Sequence, residues 1–130
     1  LNRKRAFINT FARWLAGLHK MGVYHKDMKT CNILVSEKEE IWEFRLLDFE
    51  DITMDEKLNR KKLFRNFLQL STSTPRIMTR VDRFRFFREY LRLNPIVKDE
   101  KVFLQELMDE SRRRRLVYVS PLGVVTETMG

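Results

Sequence analysis

Between residues 25 and 32 the chain reads His25-Lys26-Asp27-Met28-Lys29-Thr30-Cys31-Asn32, and one short segment later Leu47-Asp48-Phe49-Glu50. Four of these side chains could do chemistry together. Asp27 is a carboxylate able to lie beside an acceptor hydroxyl, orient it and receive its proton. Lys29, two residues on in an extended loop, projects from the same side and can meet a phosphoryl group in transfer. Asn32 and Asp48 carry the hard oxygen ligands that Mg²⁺ prefers. Because Mg²⁺ keeps several waters, two protein ligands and nucleotide phosphates complete its shell. Together these groups suffice for phosphoryl transfer from ATP, a reaction in which positioning and charge stabilisation supply nearly all of the catalysis. Asp27 and Lys29 are thus the candidate catalytic residues. Lys29, Asn32 and Asp48 are the candidates for binding ATP, with Asn32 and Asp48 holding the metal.

Taken singly, each residue has a plainer reading. His25 alone reads as a buried, hydrogen-bonded histidine, Asp27 or Asn32 alone as a turn residue, and Cys31 as a small filler with no role. The joint pattern is what counts. Four fixed identities at fixed spacing arise by chance in a chain of this length on the order of once per thousand.

Positioning these groups requires particular elements. Ile33-Leu34-Val35 is a short apolar run, and Trp42, Phe44 and Leu46 alternate with Glu43 and Arg45. This predicts two strands joined by a five- or six-residue charged loop around Ser36–Glu40. Such a hairpin over 33–47 returns Asp48 beside Asn32. Before the loop, Phe7, Phe11, Trp14, Leu15 and Leu18 recur at helical spacing through the first twenty residues, and Gly22 supplies a left-handed stop. After it, the helical period returns from about Asp55 to Leu70 through Leu63, Phe64, Phe67 and Leu68, and Ser71–Pro75 breaks it. A third helix is expected from about Thr79 to Leu93, with a Phe84, Phe87, Tyr90, Leu91 stripe opposite Arg85, Arg88 and Arg92. A fourth spans 99–114 and closes on Arg112 to Arg115, cations well placed at a helix C-terminus. Leu116–Ser120 and Val124–Thr128, around Pro121-Leu122-Gly123, read as a terminal hairpin. The fold class is mainly α with short β-hairpins (α+β).

The 130 residues suit one domain, and ten Phe with 43% hydrophobic residues allow a packed core without staples. One Cys argues against a disulfide framework and points to a reducing compartment. No apolar run reaches membrane-span length and no signal peptide opens the chain, so a soluble intracellular domain is expected. The net charge of +8 is concentrated: Lys57 to Arg92 holds eleven basic and two acidic residues. Such a block favours anionic partners such as phosphates, glycolipid headgroups, anionic membrane or nucleic acid.

The segment His25–Asn32 resembles the catalytic loop of protein-kinase-like enzymes, H-R-D-x-K-x-x-N, with Lys26 for the usual Arg. Asp48-Phe49-Glu50 resembles the metal-binding D-F-G, with Glu50 for Gly. The preceding helix then matches the long helix before the catalytic loop. Leu70-Ser71 through Pro75-Arg76-Ile77 and Asp82-Arg83-Phe84-Arg85-Phe86-Phe87 resemble the bacterial lipopolysaccharide kinase (Kdo/WaaP) family. That resemblance implies a kinase-like C-terminal lobe over residues 1–95, with 96–130 a helix and hairpin extension of the same domain. It further implies ATP and Mg²⁺ as cofactors and a sugar hydroxyl of the lipopolysaccharide inner core as acceptor. The place of action would be cytoplasmic, at the inner face of the inner membrane. Only about five residues are expected between Phe49 and the next helix, with no A-P-E, which leaves little platform for a peptide. An anionic glycolipid suits the basic helices better, with Arg76, Arg80 and Arg83 as candidate contacts.

No Gly-rich phosphate loop and no strand lysine paired to a helix glutamate precede the motif. The chain is therefore expected to be a C-terminal portion that lacks an N-lobe, inactive when isolated. Two readings from other classes compete: a non-catalytic pseudokinase or scaffold, and a basic nucleic-acid-binding module. The latter has no use for the Asp27, Lys29, Asn32 and Asp48 set, so no nucleic acid is expected as partner.

Overall fold

The computed structural model of the protein describes residues 2–129. Helix α1 (Asn2–Lys20) leads into a two-residue strand β1 (Tyr24–His25), the loop bearing Asp27, and a 3-10 turn at Thr30–Asn32. Strands β2 (Ile33–Lys38) and β3 (Ile41–Leu46) follow, then a second 3-10 turn at Phe49–Asp51 and the short strand β4 (Ile52–Thr53). Helices α2 (Arg60–Thr72), α3 (Arg80–Leu93) and α4 (Glu100–Arg112) and the hairpin β5 (Arg115–Ser120) and β6 (Gly123–Thr128) complete the chain. The fold is mainly α with three two-stranded antiparallel pairings: β1 with β4, β2 with β3 and β5 with β6.

Helix α1 buries two faces for two purposes. Ile8, Ala12, Leu15 and Ala16 enter the core, and the small alanines let α3 pack along the helix. Phe7, Phe11 and Trp14 stay half-buried and meet the hairpin, with Phe44 5.2–5.6 Å from all three rings and Trp42 edge-on to Phe7. The core continues through Leu63, Phe67 and Leu70 of α2, then Phe86, Phe87 and Tyr90 of α3. Phe103, Leu104 and Leu107 of α4 and Leu116 of β5 join the same cluster.

Three boundaries differ from the sequence expectation. The β2–β3 loop is two residues, not five or six, because Ser36–Lys38 pair despite their polarity, Lys38 facing Ile41. The turn that results places Glu39 and Glu40 at φ 54° and 64°, the left-handed pair that Asn-Gly fills best. Glu39→Asn combined with Glu40→Gly should therefore stabilise the protein by about 1–2 kcal/mol, read from the urea midpoint. No gain would mean that the turn relaxes at no cost.

Helix α2 starts at Arg60, capped by Asn59, whose side chain accepts from the Lys62 amide. Residues 50–59 thus separate Phe49 from the helix, a longer connection than the five residues expected. The connection is held where Glu56 N–H donates to Gly22 O. Gly22 sits at φ +80°, and a Cβ there would meet the Asp55 backbone at 3.2 Å. On α3, Phe86 rather than Phe84 joins Phe87, Tyr90 and Leu91 in the core, and Phe84 is exposed. Arg83 begins the buried stripe one turn earlier, so the face is rotated from the one expected.

Candidate active site

The loop carrying Asp27 is tied down on nearly every backbone group. Lys26 N–H donates to Asp51 O (2.8 Å), which continues the β1–β4 pairing. Asn66 of α2 donates to His25 O (3.0 Å), and Gln69 donates to Lys26 O (2.9 Å) while accepting from Met28 N–H (3.0 Å). Thr30 N–H donates to Ser73 Oγ at 2.9 Å. Met28 itself is buried in the core and pins the middle of the loop. Helix α2 and its C-cap Ser73 thus hold the loop backbone with three polar side chains.

The fully buried His25 joins this loop to the metal-motif segment. Its Nδ1 accepts from the Asp27 amide (3.0 Å), so Nε2 carries the proton and donates to Leu47 O (2.8 Å). This is the structural histidine that the sequence suggests.

Asp27, Lys29 and Asn32 meet. Lys29 Nζ lies 3.5 Å from Asp27 Oδ1, and Asn32 Nδ2 donates to Asp27 O (2.9 Å) and Oδ2 (3.3 Å). The carboxylate is held on both oxygens yet stays partly exposed. Leu47 N–H donates to Asn32 O (2.8 Å), and Ile33 pairs with Leu46. The hairpin therefore returns the chain to Asn32 immediately before Asp48. Asp48 adopts φ 60°, ψ 68°, a left-handed conformation that Asp tolerates better than most residues. The strained position is thus Asp48 itself. Glu50, where the kinase motif has Gly, lies in the 3-10 turn and needs no positive φ.

The chemistry of the donor set suits a magnesium ion. The Asp48 carboxylate is exposed and has no hydrogen bond or ion pair among the described residues, and Asn32 Oδ1 is left free once its amide nitrogen is used. Both are the hard oxygens that Mg²⁺ prefers. Among the described residues no three His, Cys, Asp or Glu side chains cluster to hold an ion by themselves, so a ligand of this kind would need oxygens from its substrate.

The basic candidates separate. Arg76 and Arg80 are exposed. Arg83 is 5% exposed, and all five of its N–H groups are directed at Met78 O, Ser71 O, Ser71 Oγ, Thr74 O and Pro75 O. Burial lowers its pKa to about 10, still a cation at neutral pH. Arg83 is therefore not a substrate contact. It satisfies carbonyls at the C-terminal end of α2 and in the turn beyond it.

Sequence reasoning missed Asn66, Gln69 and Ser73. The signal was there for Asn66, a polar residue on the same stripe as Leu63, Phe67 and Leu70. Asn66 is also one member of a buried chain. Asn94 Nδ2 donates to Tyr90 Oη (3.0 Å), Tyr90 donates to His19 Nδ1, and His19 Nε2 donates to Asn66 Oδ1 at 3.0 Å. Burial holds His19 at a pKa of about 4, against the opposing effect of its hydrogen bond to Asn66. The unfolded chain takes up this proton near pH 6.5 and the folded one only near 4. Stability should therefore be withdrawn as pH falls through that window, by about 3 kcal/mol in all. His19→Gln should lose less between pH 7 and 4.5 in urea titrations than the parent, and parallel losses would remove His19 from the pH response.

The family model for the lipopolysaccharide kinase (Kdo/WaaP) family matches residues 2–90. The chain belongs to that family. Neither the comparison with curated proteins nor that with solved structures finds a match. The matched region of this lipopolysaccharide kinase family member covers α1, the Asp27 loop, the β2–β3 hairpin, α2 and most of α3. Residues 91–129, with α4 and the last hairpin, lie beyond it. No helix among the described residues is long and apolar enough to cross a membrane.

Proposed function

We propose that this chain carries the catalytic centre of an ATP- and Mg²⁺-dependent phosphotransferase whose acceptor is a sugar hydroxyl of an anionic glycolipid, the lipopolysaccharide inner core. The observation that carries the reading is the meeting of Asp27, Lys29 and Asn32 at one carboxylate, with Asp48 set next to Asn32 by the β2–β3 register. In this reading Asp27 orients the acceptor hydroxyl and accepts its proton, and Lys29 stabilises negative charge on the phosphoryl oxygens. Asn32 and Asp48 hold the ion, which when bound screens the phosphate charge. His25 and the α2 amides keep the loop from moving as charge shifts. Work at the cytoplasmic face of the inner membrane and the exposed Arg76 and Arg80 as glycolipid contacts belong to the same proposal.

The test is phosphate transfer from labelled ATP to purified inner-core lipopolysaccharide by the protein. Transfer that requires Mg²⁺ is expected, and its absence with every acceptor sugar would overturn the assignment. Asp48→Asn should raise the Mg²⁺ concentration needed for half-maximal rate, because a neutral amide replaces the anionic ligand. Superimposable metal titrations would remove Asp48 from the ion.

A further inference from the structure

The β5–β6 hairpin carries three valines, Val117, Val119 and Val124, on the side that faces water. The register pairs Arg115 with Thr128, Val117 with Thr126 and Val119 with Val124, so these six side chains share one face. All six are exposed. On the other face Leu116 is buried in the core, and Glu127 accepts the Arg76 amide at 3.1 Å. An antiparallel pair with one solvated face normally turns polar residues outward. Here Val117, Val119 and Val124 are 47%, 63% and 72% exposed, and Leu122 at the tip is 99% exposed.

Charge at the base of this surface is mixed, with Asp109 and Glu110 of α4 beside three of its arginines, and the cations that carry no ion pair among the described residues are Arg115 and the nearby Arg76. Residues 112–129 hold four arginines, Arg112 to Arg115, and a single acid, Glu127, which lies on the inner face. Arg113 and Arg114 share Glu110, and Arg112 lies 3.8 Å from Asp109. Such exposed pairs are weak and exchange readily for another anion. Arg115, on the valine face, has no ion pair among the described residues. The loop tied to Glu127 adds the exposed Arg76 and Ile77.

We propose that the outer face and tip of the β5–β6 hairpin dock on an anionic lipid bilayer. Leu122, Val119 and Val124 enter the boundary between headgroups and acyl chains, and the arginines at the hairpin base meet lipid phosphates. The dimensions agree. Apolar groups at a membrane interface sit roughly 5–10 Å deep, a depth spanned by two or three strand residues. Long arginine stems let the guanidinium groups remain at the phosphate level. A protein partner fits less well, since the outer face carries no aromatic anchor. The inference deepens the reading above: β5 packs beside the 30–32 turn that carries Asn32, so docking would bring the candidate site to the layer where a lipid-borne sugar is presented.

The test needs no nucleotide. The 130-residue chain is sedimented with vesicles of phosphatidylglycerol and phosphatidylethanolamine, and separately with phosphatidylcholine alone. Binding to the anionic vesicles that weakens with salt is expected. Leu122→Asp with Val124→Asp should reduce it about tenfold or more, with thermal unfolding unchanged because both side chains are exposed. A fluorophore on Leu122→Cys, in a Cys31→Ser background, should shift to the blue on the same vesicles. Equal binding by the double variant, no spectral shift, or a self-association that the double variant abolishes in the absence of lipid would each overturn the proposal. Vesicle binding with no phosphotransfer would fault the catalytic reading alone, and phosphotransfer without vesicle binding would fault only this one.

Discussion

On the function proposed above, Asp27→Asn should lower phosphotransfer turnover by about 10²–10⁴, the usual contribution of a positioned general base. The amide keeps the size of the carboxylate and can still receive the Asn32 hydrogen bond on its carbonyl oxygen. It cannot take a proton from an acceptor hydroxyl, and it no longer pairs with Lys29. Because the His25, Gln69 and Ser73 contacts bind backbone and not this side chain, the loop should hold its shape. The expected signature is therefore a fall in kcat with KM for ATP little changed. Stopped-turnover measurements at saturating Mg²⁺ decide it, and a rate within a few-fold of the parent would take Asp27 out of the mechanism.

Arg83→Met destabilises the fold by about 3–5 kcal/mol. The methionine keeps the apolar stem but leaves the carbonyls of Ser71, Thr74, Pro75 and Met78 without their guanidinium partner. Arg83→Lys should recover little, because an ammonium offers three donors from one point and cannot reach carbonyls spread around a planar fork. The same carbonyls border Ser73, whose hydroxyl receives the Thr30 amide. The loss should therefore also speed hydrogen exchange at Thr30. Urea unfolding followed by circular dichroism measures the first effect, and a change below about 1 kcal/mol would show that water replaces the guanidinium at no cost.

Much of the site was legible because its residues are close in sequence. Asp27, Lys29 and Asn32 lie within one loop, and short-range geometry alone lets their side chains meet. Asp48 was legible for a second reason, since an antiparallel hairpin must return the chain to its start whatever its exact turn. The turn itself was not legible. Ser36–Lys38 and Glu39–Glu40 carry no strand or turn preference, and their pairing follows from the docking of Trp42 and Phe44 on α1. Arg83 was misread for a similar cause. In a run of basic residues, a buried arginine cannot be told from an exposed one until the neighbouring helix supplies its carbonyls.

The amino-acid order alone determined the four helices, the two hairpins and the chemistry-bearing set at 27, 29, 32 and 48, because periodicity and near-neighbour spacing are local properties. Tertiary structure alone decided which polar residues of α2 grip the loop, that Arg83 is a structural fork, and that the last hairpin turns Val117, Val119 and Val124 outward. Each of these depends on what another element presents across a gap in sequence, and a local pattern holds no record of that.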